Sequence, residues 1–329
     1  MKLALAGDTM LGREVAGRLA TVPPESLFAD EVVAAAHEAD LFVLNLECAV
    51  SARGERRHDP FKPFFFRAPP VAVRALQHLG VDCVNLANNH ALDYGPDALL
   101  DTVRHLAGAG IASTGAGRDE EAARRPAVVE HRGLRLGVVG VTDHPEDFAA
   151  GPDRPGVAYA RLEAGAPAGL LRTVTGLGTD ITLVTPHWGP NMTRGPSAYI
   201  RRAAQQFLAA GATLVAGHSA HVFHGVADRV LYDLGDFIDD YATDDELRND
   251  LGLLFLVTFD GPRPVRVEGV PLALDFCRTR LAGAAEARWI AHRFRQACAA
   301  FGTEVTEEGG RLVVEWSGPP EQAQRQPDE

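Results

Sequence analysis

Cysteine is scarce in this chain of 329 residues, and its copies are far apart. The four thiols belong to Cys48, Cys83, Cys277 and Cys298, with no C-x-x-C pair among them. A disulfide framework or a zinc ribbon would need closely spaced pairs. The sequence therefore indicates neither, and we expect a thiol in an apolar run to pack as a small hydrophobic side chain.

Long apolar runs and an excess of positive charge are also absent. The first apolar run ends at Gly7 and Asp8, too short for a signal peptide or a membrane span, and no later run is long enough. The net charge of -12 argues against nucleic acid or an anionic membrane as the main partner, because phosphate binding needs a basic face. We therefore expect a cytoplasmic protein without a membrane anchor.

The composition is that of a soluble globular protein, with 46% hydrophobic and 23% charged residues. Short apolar runs alternate with helical patterns, which predicts an α/β fold, and late strands with few helices between them predict a partly antiparallel sheet. The predicted strands are 2–6, 40–47, 81–87, 126–131, 134–141, 180–185, 212–217, 229–234, 252–259 and 264–272, and the predicted helices are 13–20, 27–38, 70–79 and 281–301. We expect a single domain over 1–318 and, because the chain ends in a polar, Pro-rich stretch, a disordered tail over 319–329.

Polar side chains of metal-ligand type follow five of the predicted strands. They are Asp8, Glu47, Asn89, His90, His187, His218 and His221. Because the carboxyl ends of strands in an open α/β sheet converge on one crevice, we expect these side chains to meet. Carboxylate, amide and imidazole groups together suit divalent ions, so the sequence predicts one or two ions of Mn, Fe, Zn or Ca and no organic cofactor.

Several of these residues also have a purely structural interpretation. Asp8 in Gly-Asp-Thr is compatible with a turn or a helix cap, and His187 with a core histidine stacked on its tryptophan neighbour. His218 and His221 are compatible with a polar turn before a strand. Glu47 is harder to explain in this way, since a buried carboxylate without a partner is costly.

Three neighbouring residues are predicted to have lesser roles. Asp233 and Asp236 fall where a strand ends beside the same crevice, so we expect them to orient the histidines from outside the metal site. His224 alternates with Val222 and Phe223, which predicts a histidine on the face of a sheet.

A basic and aromatic insertion, SARGERRHDPFKPFFFRAPP, follows the second predicted strand. One interpretation is a covering loop with a phenylalanine plug in the core. The other is a lid whose cations contact a substrate that carries carboxylates or phosphates. The candidate substrate contacts are Arg53, Arg56, Arg57, Lys62 and Arg67, together with Asn88, which we also expect to hold the turn before Asn89.

The chain resembles the CapA-type (poly-γ-glutamate capsule biosynthesis) proteins, a branch of the calcineurin-like metallophosphatase superfamily. The resemblance spans about residues 1–260 and is carried by GDTMLGR, NLECAVS, NNHALDYG, TGAG, PHWG and GHSAHVFHGV followed by LYDLGDF. It implies a four-layer α/β/β/α sandwich of the metallophosphatase type, with mixed sheets and a dinuclear metal centre. Capsule proteins of this family are usually tethered outside the membrane, but the sequence shows neither a signal nor an anchor, so we expect a cytoplasmic role on a soluble substrate.

The same resemblance implies individual roles. It matches Asp8 to the aspartate of the first motif, Glu47 to the bridging carboxylate and Asn89 to the amide ligand. His90 matches an acid or base, and His187 matches the next histidine ligand. His218 and His221 match the closing motif, although their spacing departs from the common pattern. Phosphatases of the superfamily generally carry Asp-x-His in the first motif, but Met10 stands at that place here. One metal site therefore lacks a nitrogen ligand.

Three functions are compatible with these residues. The favoured one resembles the epimerases of lasso-peptide biosynthesis, in which a metal stabilises an enolate while His90, with Asp8 or another histidine, inverts the Cα of a C-terminal residue. The second is hydrolysis of a phosphoester or an amide, with His90 protonating the leaving group. The third is a non-catalytic binding or assembly protein for polyglutamate synthesis, in which loop 53–67 binds carboxylates.

Overall fold

The structure is a computed structural model that describes residues 1–316. The predicted tail over 319–329 lies outside the described residues. The strands are β1 (Lys2–Thr9), β2 (Leu41–Leu46), β3 (Ala49–Val50), β4 (Arg67–Ala68), β5 (Cys83–Asn85), β6 (Ala112–Thr114), β7 (Ala116–Gly117), β8 (Ala127–His131), β9 (Leu134–Thr142), β10 (Gly156–Val157), β11 (Ile181–His187), β12 (Leu214–Ala216), β13 (Val226–Ala227), β14 (Val230–Leu231), β15 (Asp236–Ile238), β16 (Leu251–Asp260), β17 (Arg263–Asp275), β18 (Arg278–Leu281), β19 (Thr306–Glu308) and β20 (Arg311–Glu315).

Helices lie between many of these strands. They are α1 (Arg13–Leu19), α2 (Asp30–Ala36), α3 (Val73–His78), α4 (Gly95–Gly108), α5 (Glu120–Ala123), α6 (Ala168–Gly176), α7 (Ala198–Ala209) and α8 (Ala284–Ala299), with 3-10 turns at Pro24–Leu27, Pro70–Ala72, Glu146–Phe148 and Leu162–Ala164. None of the helices within residues 1–316 combines the length and the apolar character needed to cross a lipid bilayer.

Two large mixed sheets stack on each other. The first has the order β19-β20-β17-β16-β1-β2-β5-β6, with β15 beside β1 and β18 beside β17, and the second has the order β13-β14-β12-β11-β9-β8. In the first sheet, β1, β2, β5 and β6 run parallel, whereas β16, β17 and β20 pair antiparallel. The expectation that the later strands form antiparallel pairs is thus confirmed.

Apolar side chains on opposite faces of each strand enter different cores. On β1, Ala4 and Ala6 pack against the helices of the N-terminal third, whereas Leu3 and Leu5 pack between the two sheets. On β9, Val138 lies between the sheets and Val139 packs outward against α7. The result is the four-layer α/β/β/α sandwich that the resemblance implied. Strands that are buried on both faces appear in the sequence as continuous apolar runs, so these strands could be predicted from it.

The predicted element boundaries needed correction in three places. The predicted strand 229–234 is a short strand at Val230–Leu231, after which the chain crosses to the other sheet, so Asp236 begins a strand instead of following one. The last long helix begins at Ala284, and Leu281 belongs to β18 and is 38% exposed, so it is no part of the helix's apolar stripe. His224 lies in no regular strand. It is buried, and its Nε2 lies 2.8 Å from the backbone oxygen of Thr193.

Candidate metal centre

The polar residues predicted at the strand ends meet at one edge of the sandwich. Asp8 lies near the end of β1, opposite Asn45 on β2 and Asp236 on β15. From the second sheet, His187 at the end of β11 forms a bridge with His218, which follows β12. The carboxyl-terminal ends of strands from both sheets therefore lie close together, as expected for a ligand site in an α/β fold.

Close approach of β1 and the residues that lead into β15 depends on a glycine next to Asp8. The backbone N–H of Asp8 donates to the carbonyl oxygen of Gly235 at 2.8 Å. A Cβ at Gly7 would lie only 1.7 Å from that same oxygen. Any side chain at position 7 would therefore push β1 and β15 apart and separate Asp8 from Asp236.

Asp8, Glu47 and His187 form the first group that could hold an ion. Each offers one ligand atom, and these atoms all lie within 4.8 Å of one another. The Nε2 of His187 is 3.4 Å from the Oε1 of Glu47. All three side chains are fully buried. A nitrogen and two carboxylates at this separation match the donor types that divalent transition metals take.

His218 and His221 approach Asp8 from the loop that follows β12. The Nδ1 of His218 is 3.6 Å from Asp8 Oδ1, and the Nδ1 of His221 is 3.4 Å from Asp8 Oδ2. The Nε2 of His218 lies 2.8 Å from the hydroxyl of Thr185, which leaves Nδ1 directed toward Asp8. Ser219 and His221 both have a left-handed backbone, with φ of 106° and 59°. Such backbone costs about 1–3 kcal/mol per residue and is often retained at functional sites.

Many buried polar atoms at this edge have no hydrogen-bond partner. They are both carboxylate oxygens of Glu47, Oδ1 of Asn89, both ring nitrogens of His187, Nδ1 of His218 and Oδ2 of Asp236. Each unpartnered buried group costs about 1–3 kcal/mol, so their concentration in one place needs an explanation. All of them are oxygen or imidazole nitrogen, and divalent cations held among them would satisfy most of these atoms, including one of the two ring nitrogens of His187. The residues present therefore fit a metal.

Burial sets the charges of this group. Burial and the nearby Glu47 raise the pKa of Asp8 well above its usual value. Burial acts in the same direction on Glu47, but the adjacent histidines outweigh it and hold the pKa of Glu47 below its usual range. Burial lowers the pKa of His187 to about 4 and that of His218 to about 3. Both imidazoles are therefore neutral near neutral pH and have lone pairs free for a cation.

A chain of buried asparagines, which the sequence interpretation missed, supports Asp8. The Nδ2 of Asn45 donates to Asp8 Oδ1 at 2.7 Å, and the Nδ2 of Asn85 donates to Asn45 Oδ1 at 3.1 Å. Asn88 joins them by donating to Asn45 Oδ1 at 3.2 Å and to the Leu46 carbonyl at 2.9 Å. A single polar residue inside each apolar strand, LFVLNL and CVN, was the available signal.

Asn88 itself requires a correction. It is fully buried, and its Oδ1 accepts from the backbone N–H of His90 at 3.1 Å. The structure therefore places Asn88 in the framework of the turn, as expected, and not among the substrate contacts. Asn89, by contrast, is only half-buried, and its Oδ1 is one of the unpartnered atoms.

His90 is oriented by a second missed residue, Asp93. The Oδ2 of Asp93 lies 2.6 Å from the Nδ1 of His90 and accepts from the backbone N–H of Phe66 at 2.7 Å. Its other oxygen accepts from the ammonium of Lys62. The Nε2 of His90 is then left on the side of Glu47, 3.8 Å from Oε1. The carboxylate three residues after the histidine in NNHALDYG was the signal available in the sequence.

The basic loop supplies fewer free cations than the sequence predicted. Arg53 pairs with Asp101, Arg57 with Asp147, and the Nη1 of Arg67 donates to the Gly54 carbonyl at 2.9 Å. These three residues therefore support the fold of the loop, and their assignment as substrate contacts stays a prediction. Of the phenylalanines, Phe65 and Phe66 are buried as a plug, whereas Phe61 is 94% exposed and Phe64 is 41% exposed.

A small cavity beside this loop retains two guanidinium groups. Its volume is about 360 Å³, and it is lined by Arg13, Arg56, Pro63, Phe64, Phe65 and Tyr94. The Nε of Arg13 is 3.2 Å from Asp240 Oδ2, but its Nη1 is buried and has no partner. The guanidinium lies over the ring of Phe64, 4.6 Å from its centroid. Arg13, which the sequence interpretation missed, therefore offers an unused donor to an anion.

A histidine and aspartate pair on the other side of His187 was also missed. The Nδ1 of His144 is 2.5 Å from Asp143 Oδ1, and the ring of His144 lies 5.1 Å from that of His187. Asp143 also accepts from the hydroxyl of Tyr199 at 2.8 Å. Asp143 and His144 line a separate cavity of about 600 Å³, so a second opening flanks the site.

Comparisons with known proteins agree with this geometry. Residues 2–241 match the family described as bacterial capsule synthesis protein PGA_cap. The chain is 33% identical over 294 residues to a probable polyglutamine synthesis accessory protein of Mycobacterium tuberculosis, covering 83% of this chain and 76% of that one. It is 27% identical over 246 residues to the PGA biosynthesis protein CapA of Bacillus subtilis, covering 73% of this chain and 63% of that one.

One solved structure shares the fold. A hypothetical protein from Thermus thermophilus superposes with a TM-score of 0.50 at 17% identity, covering 82% of this chain and 98% of that one. At this identity the likeness concerns the fold alone, which is the α/β sandwich of the metallophosphatase type.

Proposed function

Because the chain belongs to the bacterial capsule synthesis protein PGA_cap family, we propose that it is a divalent-metal-dependent hydrolase that cleaves amide bonds in a polyglutamate-type acidic polymer. The observation that carries the proposal is the group of unpartnered buried oxygens and nitrogens around Glu47 and His187, with His90 beside it. The names of the relatives, for polyglutamine synthesis and PGA biosynthesis, support the class of substrate.

The proposed metal-holding residues are those whose ligand atoms converge at the sheet edge: Asp8, Glu47, Asn89, His187, His218 and His221. A divalent cation held there would supply Lewis acidity to a carbonyl oxygen and lower the pKa of a water molecule. Glu47 stays ionised because its histidine neighbours hold its pKa low. Asn45 keeps the carboxylate of Asp8 turned toward the centre through its 2.7 Å hydrogen bond.

His90 is the proposed proton donor to the leaving amine. Asp93 holds Nδ1 at 2.6 Å, so Nε2 is the nitrogen that faces the reacting bond. Burial lowers the pKa of His90, while the charge of Asp93 opposes this effect. A histidine whose Nδ1 is fixed in this way can accept and donate a proton at Nε2, as general acid catalysis requires. Lys62 neutralises Asp93 on the far side.

Arg13 and Arg56 are proposed to hold a side-chain carboxylate of the polymer. Their cavity adjoins the phenylalanine plug, and the ring of Phe66 is 4.5 Å from that of His90. A carboxylate bound to a guanidinium forms two parallel hydrogen bonds, which sets the register of the polymer as well as its affinity. The local positive charge is needed because the chain as a whole carries a charge of -12 and repels polyanions.

The test is hydrolysis of defined γ-linked and α-linked glutamate oligomers by the purified protein with Mn, Zn or Fe, followed by mass spectrometry in ¹⁸O-labelled water. We expect metal-dependent cleavage with one ¹⁸O in the new carboxylate. His90→Ala should lose cleavage, and the exposed His292→Ala on α8 should keep it. Tight binding of the oligomers with no cleavage under any metal would contradict the proposal and favour a binding or assembly protein.

Epimerisation of a peptide Cα remains a separate prediction that no comparison supports. It uses the same residues but leaves the chain length of the substrate unchanged. Incorporation of deuterium at Cα in heavy water, without cleavage, would replace the hydrolase proposal with that one. A cleaved product without deuterium at Cα would exclude it for that substrate.

A further inference from the structure

The cavity of about 600 Å³ beside His187 is separate from the cavity that contains Arg13 and Arg56. Its walls come from the residues after β9, residues 159–163, the loop after β11 and the start of α7. His144 connects it to the metal centre, because it lines the cavity and its ring lies 5.1 Å from that of His187. A substrate bound at the metal centre therefore has space for a further group on this side.

The ring of His144 is held in one orientation by Asp143. Its Nδ1 lies 2.5 Å from Asp143 Oδ1, and Asp143 Oδ2 accepts from the Tyr199 hydroxyl at 2.8 Å and from the backbone N–H of Gly189 at 3.1 Å. Burial acts to raise the pKa of Asp143, but the hydrogen bonds from His144 and Tyr199 outweigh it and hold that pKa below its usual value. An ionised carboxylate only accepts hydrogen bonds, so Nδ1 carries a proton, and Nε2 of the neutral ring is an acceptor.

Nε2 of His144 is available to a hydrogen-bond donor of the substrate. It forms no hydrogen bond within residues 1–316, and the side chain of His144 is 33% exposed. The side chain of Asp143, by contrast, is only 6% exposed. The pair therefore consists of a buried carboxylate that fixes the ring and a ring nitrogen that has no partner in the protein.

The charged side chains of the cavity are mostly acidic. It has three carboxylates, those of Asp143, Glu146 and Glu163, and one guanidinium, that of Arg161. The Nη2 of Arg161 is 2.8 Å from Glu146 Oε2, so the charges of this pair offset each other. Glu163 forms no ion pair in the part of the chain that the structure describes, since Arg202 donates to its backbone carbonyl and not to its carboxylate. The cavity therefore keeps the negative charges of Asp143 and Glu163.

This negative charge distinguishes between the groups of the proposed substrate. The interior of a polyglutamate chain carries only carboxylates, which the cavity repels, and the one cationic group of such a polymer is the ammonium at its amino end. The first N–H groups of α7 add a partial positive charge of about 0.5, which is smaller than the charge of the two carboxylates. The ammonium is therefore the part of the polymer that this cavity attracts.

We infer that this cavity binds the ammonium group at the amino end of the polymer, with Nε2 of His144 and the carboxylate of Glu163 as acceptors. The inference rests on the proposed function and names the part of the substrate that this side of the metal centre takes. The remainder of the polymer then extends past His90 toward Arg13 and Arg56.

The consequence is cleavage from the amino end. Water adds across the first amide bond of the chain, so that its oxygen enters the carboxylate of the released residue and the leaving nitrogen gains a proton. The shortened polymer has a new ammonium at its end and can bind in the same way. Bonds in the interior of a chain are not cleaved, because no ammonium lies next to them.

The first test measures binding without turnover. Metal-free protein in EDTA is titrated in a calorimeter with γ-linked triglutamate that has either a free or an acetylated amino end. We expect the free-amino oligomer to bind about 10-fold or more tightly, because acetylation removes hydrogen bonds to a charged group. Glu163→Gln and His144→Ala should each reduce this preference. Glu163 is exposed, so its substitution should not disturb the fold, and the exposed Glu304→Gln outside the cavity is the matched control that should keep the preference.

The second test follows the products of metal-loaded protein over time by mass spectrometry. The free-amino oligomer should release single glutamate residues in succession, and the acetylated oligomer should stay intact.

The outcomes separate the inference from the proposed function. Equal affinity for the two oligomers, a preference that Glu163→Gln and His144→Ala both leave unchanged, or cleavage of the acetylated oligomer would overturn the amino-end site and leave the hydrolase intact. A preference for the free amino end without cleavage under any metal would overturn the hydrolase and leave the cavity as a binding site for the ammonium.

Discussion

Replacing Glu47 with glutamine is expected to destabilise the metal-bound protein much more than the metal-free protein. Glu47 and Asp8 are buried carboxylates whose ligand atoms lie within 4.8 Å of each other. When both are ionised, their repulsion amounts to about 3 kcal/mol at an effective dielectric constant of about 20. In the metal-free protein, proton uptake by Asp8, whose pKa is raised by burial and by Glu47, relieves this repulsion, and the neighbouring histidines hold Glu47 ionised. Loss of the Glu47 charge should therefore lower the stability of the metal-free protein only slightly.

The bound metal makes the loss of stability much larger. A ligand present at about 100 times its dissociation constant stabilises the folded state by about 2.7 kcal/mol. Loss of the Glu47 charge should weaken metal binding by at least 10- to 100-fold, which removes about 1.4–2.7 kcal/mol of that stabilisation. A neutral glutamine can still offer one oxygen, so binding should weaken without the fold being lost.

Differential scanning calorimetry in EDTA and in a fixed excess of Mn measures both effects. For a domain of this size, about 1 kcal/mol corresponds to roughly 2–4 °C in melting temperature. We expect Mn to raise the melting temperature of the wild type by about 5–10 °C. In EDTA, Glu47→Gln should melt close to the wild type, and its gain in melting temperature on adding Mn should be smaller. The exposed Glu304→Gln is the control and should behave as the wild type does.

One result would refute this reasoning. If Glu47→Gln lowers the melting temperature in EDTA as much as in Mn, the carboxylate of Glu47 must be satisfied by groups of the protein itself, and its unpartnered state would not signal a metal site.

Three further outcomes test the rest of the site. In EDTA, Asp239→Asn should make the free energy of unfolding rise more steeply between about pH 4 and pH 6 than in the wild type, because burial raises the pKa of Asp239 to about 6. The protonated form of Asp239 stabilises the folded state at low pH and this contribution is lost as the pH passes its folded pKa, whereas the lowered pKa values of His187 and His218 act in the opposite direction in both proteins; urea titrations measure the difference, and equal slopes would contradict it. His90→Ala should reduce the cleavage rate by about 10²–10⁴-fold and leave the metal content unchanged, whereas His187→Ala should lower the metal content. Equal loss of metal in both variants would contradict the assigned roles. Arg13→Ala should raise KM for a glutamate oligomer with little change in kcat, and an unchanged KM would exclude the anion cavity from substrate binding.

Much of the fold could be predicted from the sequence because its strands are buried on both faces. LALA, LFVLNL and ITLVTP are apolar throughout, so the runs stand out without any alternation, and the polar residue that ends each run marks the sheet edge. Prediction failed where the chain changes sheets. Residues 229–238 look like one strand and its end, but the chain crosses from β14 in one sheet to β15 in the other.

The partners of the charged residues could not be predicted from the sequence either. Five basic residues in one loop suggested a cationic lid, but Arg53, Arg57 and Arg67 are used by nearby carboxylates and carbonyls, while Arg13 outside the loop keeps a free donor. Charge is visible in a sequence, whereas the distance to the nearest counter-charge is not. Asp93 was overlooked for the same reason, since its importance lies in its contacts with His90 and Lys62.

The sequence by itself determined which residue types stand at the strand ends, and hence that oxygen and nitrogen donors gather at one edge of an α/β sandwich. Only the tertiary structure decided which of these side chains face the site and which support the strands and turns around it. The register of β1 with β15 places Asp236 opposite Asp8, and the turn after β5 directs the side chain of Asn88 into the core and that of His90 toward the cleft. The physical reason is that strand periodicity is a local property of the chain, whereas register and hydrogen-bond partners depend on contacts between residues far apart in it.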